Sequence, residues 1–234
     1  VTETVVVAHR TCPRDARENS LDGIAVAARL GAEVVEVDAR RSRDGTAVLL
    51  HDPWLGRVQH VPLLLRWAND RMLARLRVPT LRDALDAAGE LGLVVAIDTK
   101  DRKAAVAVLD AVAASGAEER VLLWSQHMPV VRSFVRALPG VEAALLRDSF
   151  TPEEHDRFLA DAQAIGAHAV SAHQDAVTPA FIAAAADRGL GVYCWYQKGE
   201  LQDARLGQNA RAGLRGVVTD WPQDAIAVLA NLRT

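Results

Sequence analysis

The apolar residues of this chain gather in short clusters, and the longer stretches between them read as helix. Runs rich in Val, Ile and Leu at Thr4–His9, Val34–Ala39, Leu93–Asp98, Val121–Ser125, Glu142–Leu146, Ala169–His173, Gly191–Trp195 and Gly216–Asp220 predict eight strands. Most are apolar on both faces, the pattern of parallel strands covered on two sides. Helix signals fill the gaps. Thr151-Pro152 and Thr178-Pro179 place a capping hydroxyl before a first-turn proline, Thr80 and Asp83 read as a capping box, and Gly31, Gly116 and Gly189 stand where helices should stop. Strand–helix alternation repeated eight times predicts a closed (β/α)8 barrel, an α/β fold. The competing arrangement is an open doubly wound sheet. It would carry a Gly-rich dinucleotide loop after its first strand, and this chain has none there.

One feature interrupts the alternation. After the second strand Arg43-Asp44-Gly45 reads as a turn and Thr46–His51 as another short strand, so a β-hairpin is added to the top of the second strand. It brings His51 back over the barrel mouth. Only 28 residues, 52 to 79, separate His51 from Thr80, too few for a separate domain, so residues 1–234 are read as one barrel domain.

Composition narrows the partners. The 234 residues carry 27 basic and 30 acidic side chains, a net charge of −3 that gives no electrostatic case for nucleic acid or an anionic membrane as the main partner. No apolar run approaches the roughly 18–20 residues that cross a bilayer, so no integral membrane segment is expected. Cys12 and Cys194 allow one disulfide but no disulfide-dependent scaffold, and the plainer reading is two reduced thiols in a cytoplasmic protein. Removal of an earlier signal peptide would leave the same chain, so export stays open.

Barrel enzymes carry their reactive groups at the C-terminal ends of strands. Here those ends hold His9-Arg10, Glu36 and Asp38, Asp98 and Lys100, Ser125, His173, Trp195 and Asp220, and the hairpin ends in His51-Asp52. Glu36 and Asp38 are two apart on one strand and so share a face, with Val35 and Val37 on the other. Carboxylates facing a barrel interior are costly unless neutralised. With Asp98 they make an all-oxygen site suited to a divalent cation, Mg2+ or Ca2+. The alternative is pairing of these acids with Arg10, Arg40 or Lys100. Two histidines suit cleavage of a phosphate diester, one removing a proton from the attacking oxygen and one protonating the departing alkoxide. Arg10 and Lys100 can hold the non-bridging oxygens. Of the other histidines, His60, His155 and His168 read as surface or loop residues, while His127 and His173 stand where they can line the mouth. Trp195 is read as packing over a substrate, and Trp221-Pro222 as closing the last strand and opening the final helix.

In this arrangement the chain resembles the glycerophosphodiester phosphodiesterase family, of the phosphatidylinositol-specific phospholipase C-like barrel superfamily. The resemblance runs through Ala8-His9-Arg10, Glu18-Asn19-Ser20, Glu36-Val37-Asp38, Asp44-Gly45, His51-Asp52, Pro79-Thr80-Leu81, Ile97-Asp98-Thr99-Lys100, Trp195 and Val218-Thr219-Asp220-Trp221-Pro222. Each motif alone is weak, and their order and spacing together are specific. The resemblance implies that His9 and His51 are the acid–base pair, with His9 as base and His51 as acid. It implies that Glu36, Asp38 and Asp98 hold the metal and that Arg10 and Lys100 contact phosphate. It also implies hydrolysis of a small-molecule glycerophosphodiester to glycerol 3-phosphate and an alcohol. Thr11 stands where the family has glycine, and a β-branched residue at a positive φ is costly, so that loop is expected to differ. Asp98 replaces a glutamate, Val58-Gln59 follows Arg57 where the family often has two threonines, and Gln126 replaces an aromatic residue.

Two other readings compete. One is a cyclising phosphodiesterase of the sphingomyelinase D type, in which a substrate hydroxyl attacks phosphorus; Asp98 favours it, Glu18-Asn19 and the short chain do not. The other is a barrel that binds without catalysis, which the retained His9, His51, Glu36 and Asp38 argue against. The alcohol and the oligomeric state are not legible.

Overall fold

The structure is a computed structural model that describes residues 3–148, 151–196 and 203–232. The apolar runs become strands β1 Val5–Ala8, β2 Val34–Arg41, β4 Val94–Thr99, β5 Val121–Ser125, β6 Ala143–Arg147, β7 Ala169–His173, β8 Gly191–Trp195 and β9 Gly216–Thr219. These eight pair in parallel around a ring, and β1 closes it by pairing with both β2 and β9. The fold is therefore the expected (β/α)8 barrel. The hairpin strand β3, Ala47–Leu49, lies outside the ring, antiparallel to the end of β2, with Ala39 opposite Leu49 and Arg41 opposite Ala47. Gly45, at φ +103°, turns the hairpin.

Alternation along the strands builds two apolar layers. Val7, Val34, Ala96, Trp124, Ala144, Ala169, Tyr193 and Val218, one from each barrel strand, fill the interior. Trp124 and Tyr193 carry most of that volume, with ring centroids 4.8 Å apart. The alternate residues, such as Val35, Val37, Val95 and Ile97, face outward and pack beneath the helices. Segment 52–79 has a small core of its own, in which Leu55, Leu65, Leu73 and Val78 join Val48 and Leu50 of the hairpin. No helix among the described residues is long and apolar enough to cross a membrane.

The helix caps follow the sequence with one exception. Thr80 and Asp83 make the capping box of helix Leu81–Glu90, and the Thr178 hydroxyl accepts from Phe181 N–H at the start of Pro179–Ala186. Thr151-Pro152 instead opens a short 3-10 turn, Pro152–Glu154, where the Glu154 carboxylate accepts from Thr151 N–H, and the α-helix begins only at His155. The first and last strands stop one residue short of expectation, at Ala8 and Thr219, and the hairpin strand stops at Leu49 instead of His51, so His9 opens a short 3-10 turn, His9–Thr11, and His51 and Asp220 follow their strands.

The loop after β1 is strained. Arg10, Thr11 and Cys12 take φ of 42°, 60° and 59°, a left-handed conformation that costs an L-residue about 1–2 kcal/mol. Thr11 thus adopts the positive φ that suits glycine. Its buried hydroxyl accepts from Ser20 N–H at 3.1 Å, and Asn19 N–H donates to the Arg10 carbonyl at 2.9 Å. Gly23, in helix Leu21–Arg29, makes the room: a Cβ there would sit 2.2 Å from the Thr11 carbonyl oxygen and 2.4 Å from its hydroxyl. Alanine normally favours a helix by about 1 kcal/mol over glycine. At this position overpacking of about 1–3 kcal/mol outweighs that. Gly23→Ala is expected to lower the unfolding temperature by up to about 8 °C and to reduce turnover by displacing Arg10. A calorimetric scan showing a higher unfolding temperature would contradict the packing argument.

Candidate active site

A cavity of about 550 Å³ lies at the mouth of the barrel, lined among others by His9, Arg10, Glu36, His51, Asp98, Lys100 and Trp195. These named residues come from five separate stretches of chain, which the closed ring brings together. Both histidines are oriented by a carboxylate. His9 Nδ1 lies 2.7 Å from Asp220 Oδ1, a partner 211 positions away that the β9–β1 pairing delivers. His51 Nδ1 lies 2.8 Å from Asp52 Oδ1. In each ring Nε2 is left for a molecule in the cavity.

The His51 side has a further support. Asp52 Oδ2 accepts from Arg57 Nε at 2.6 Å, and the rest of the Arg57 guanidinium grips Glu18 through two bonds of 2.6 and 2.7 Å. The chain His51–Asp52–Arg57–Glu18 ties the hairpin loop to the loop after β1. Arg40 Nε also donates to the His51 carbonyl at 2.8 Å.

Beneath the histidines lie the acids. Glu36, Asp38 and Asp98 each offer an oxygen within 4.8 Å of the others, and all three are buried. Asp38 is fully enclosed: Asn19 Nδ2 donates to it at 2.7 Å, Arg10 Nε lies at 3.2 Å and Lys100 Nζ at 2.8 Å. Lys100 also contacts Asp98 Oδ2 at 2.5 Å. Glu36 accepts from the strained Arg10 backbone N–H at 2.7 Å. The two sequence readings of these acids therefore coexist, with the triad assembled and Asp38 ion-paired to Arg10 and Lys100.

Burial, with the Asp38 charge beside it, pushes the Glu36 carboxyl up to about 7. Burial raises Asp98 as well, against the pull of Lys100. It opposes the Asp38 charge too, yet Lys100 and Arg10 together hold Asp38 below the usual carboxylate range. Burial works against the Lys100 charge, but Asp98, Asp38 and Glu36 more than offset it and keep the ammonium protonated. Three acids facing two cations leave a deficit of positive charge. Asp98 Oδ1 is buried without a hydrogen-bond partner. An orphaned buried carboxylate oxygen in an all-oxygen set fits a hard divalent cation.

Trp195 lines the cavity as expected. His173 does not: its ring packs edge-on against Trp195 at 4.6 Å and its Nδ1 faces Asp175, so it buttresses the tryptophan from behind. His127 follows β5 outside the lining, its N–H donating to Ser125. The sequence reading assigned no role to Asp220, Asn19, Glu18 or Arg57. Asp220 carried two signals, its place as a strand-end acid and its place in the closing motif of the resemblance.

Two carboxylate-oriented histidines above an acidic triad and two cations, in the mouth of a parallel barrel, make up the candidate active site of a barrel enzyme. Residues 9–224 match the model of the glycerophosphoryl diester phosphodiesterase family, and the chain belongs to that family of phosphoric diester hydrolases. It is similar to the glycerophosphodiester phosphodiesterase of Caldanaerobacter subterraneus subsp. tengcongensis, at 22% identity over 96% of this chain and 97% of the relative. Among solved structures it resembles the glycerophosphodiester phosphodiesterase of Thermotoga maritima, with a TM-score of 0.81, 21% identity and 97% and 99% of the two chains covered. It also resembles an Oleispira antarctica phosphodiesterase in complex with the product sn-glycerol-3-phosphate, with a TM-score of 0.84, 18% identity and 97% of each chain covered.

Proposed function

We propose that this protein hydrolyses a glycerophosphodiester to glycerol 3-phosphate and an alcohol, with His9 and His51 as the acid–base pair and a divalent cation, Mg2+ or Ca2+, held by Glu36, Asp38 and Asp98. The observation that carries this reading is the meeting of both histidines in one cavity with Glu36 and Asp98, behind which Asp38 completes the acidic triad. Family membership supports the diester, and the glycerol 3-phosphate bound to the Oleispira antarctica relative supports the product. When bound, the cation supplies Lewis-acid stabilisation of charge on the phosphoryl oxygens. Arg10 and Lys100 border the cavity with positive charge that can neutralise the non-bridging oxygens.

The resemblance gives His9 as base and His51 as acid; the lowered pKa of His51 supports the reverse. Burial lowers the His51 pKa below the ordinary value of about 6.5, so its ring is neutral at neutral pH and ready to accept a proton. His9, oriented by Asp220, then protonates the leaving alkoxide.

Asp52 raises the His51 pKa through its hydrogen bond, against the larger effect of burial. Asp52→Asn removes that support and lowers the pKa further. The rising limb of kcat/KM against pH is expected to move to lower pH. The rate should fall by about 10²-fold as the ring loses its orientation. An unmoved rising limb with the falling limb displaced to lower pH would assign His51 the opposite role.

The proposal is tested by kcat/KM on glycerophosphodiesters and on diesters lacking glycerol, each with Mg2+, Ca2+ and Mn2+. Glycerophosphodiesters should be preferred at least tenfold, an effect of about 1.4 kcal/mol. Failure to turn over any glycerophosphodiester with any of the three ions would remove the proposal.

A further inference from the structure

A second recess, of about 410 Å³, lies between the end of β2, the segment around Leu64–Arg66 and the turn after β4. It shares no lining residue with the catalytic cavity. Six cationic side chains line it, Arg40, Arg41, Arg43, Arg66, Arg102 and Lys103, against one acid, Asp101. The chain as a whole is acidic, so this excess of positive charge is local.

The acid is already committed. Asp101 Oδ1 accepts from the backbone N–H of Lys103 and Ala104 at the start of helix Ala104–Ser115, and Oδ2 faces Arg40 at 3.7 Å. Arg43 has only the exposed Asp44 at 3.8 Å. Arg41, Arg66, Arg102 and Lys103 pair with no carboxylate among the described residues. Arg66 lies over the exposed ring of Trp67, 4.7 Å from its centroid, which leaves the edge of its guanidinium for another partner.

We propose that this recess is a second anion site, which takes a small molecule bearing two or more linked phosphoryl groups. Guanidinium forks match phosphoryl oxygens in pairs, and three of the four unpaired cations are arginines. A single phosphate dianion would match only half of the charge on the four unpaired cations. The site is independent of the hydrolytic reading.

The test is isothermal titration calorimetry of the full chain in metal-free buffer, with pyrophosphate and inorganic phosphate as probes. Wild type should bind pyrophosphate at least tenfold more tightly than phosphate. The variant Arg66→Gln/Lys103→Gln alters two exposed side chains and should weaken pyrophosphate at least tenfold while leaving kcat/KM unchanged. Arg10→Gln, at the catalytic cavity, should leave the pyrophosphate affinity intact. Absence of pyrophosphate binding in wild type, equal affinity for the two probes, wild-type affinity in the recess variant, or loss of binding in Arg10→Gln would each overturn the proposal.

Discussion

Alanine at His51 is expected to lower kcat by about 10²–10⁴-fold, the usual contribution of a general acid or base, while the protein still unfolds within a few degrees of wild type. The two readouts separate because of where the ring sits. His51 follows the hairpin strand, its side chain is 32% exposed, and its one side-chain bond among the described residues is to Asp52, which keeps Arg57 as a partner when the ring is gone. His9→Ala should cost a similar factor in rate, but it is the less clean experiment. It leaves Asp220 buried without its imidazole partner, and an unsatisfied buried group costs about 1–3 kcal/mol. Steady-state kinetics with circular dichroism on both variants checks this. Near-wild-type turnover in His51→Ala would remove the acid–base assignment.

Glu36→Gln should give the opposite pattern, a more stable protein that has lost its activity. The substitution is isosteric and keeps an acceptor for the Arg10 N–H, so the fold is not disturbed. The native carboxyl is buried, and its pKa in the folded state, about 7, lies above its ordinary value of 4.5. Its contribution to stability is fully present below pH 4.5 and is lost as pH rises through about 7. Glutamine has no such charge, so the metal-free variant should unfold at higher temperature than metal-free wild type at pH 8 and lose that part of the pH slope. Activity should fall by more than the roughly 10–100-fold seen for groups that only support a metal ligand. Chelation of wild type should reproduce the loss, and returning the ion should reverse it. An active Glu36→Gln enzyme, or activity that survives exhaustive chelation, would rule out the metal role of the triad.

The parts of this site that were legible in sequence are those set by local periodicity. Glu36 and Asp38 share a face because strand side chains alternate, and apolar runs mark the strands that carry the other groups to the mouth. What was not legible depends on closure or on unusual backbone. The His9–Asp220 pair exists only because β9 and β1 meet at one register. Asn19 reaches Asp38 from a left-handed position, φ 53°, a conformation asparagine tolerates, but its contact with a strand residue 19 positions away is set only by the fold. Thr11 holds a glycine-like φ because Gly23, twelve positions later, yields the space, a compensation visible only in three dimensions. His173 ends its strand as predicted, yet its ring turns behind Trp195, and strand position alone does not decide that. The basic recess is likewise hidden by a near-neutral composition, because the charges that line it come from three separate segments.

The central claim is that this constellation cleaves a glycerophosphodiester with water. The most direct measurement follows the phosphorus NMR spectrum of a glycerophosphodiester incubated with the protein and a divalent ion. The account predicts that the diester resonance is replaced by that of glycerol 3-phosphate, with no cyclic phosphate persisting and no change when the ion is chelated or His51 is alanine. A lasting cyclic phosphate, or a diester signal that never declines with the intact protein and Mg2+, Ca2+ or Mn2+, would contradict it.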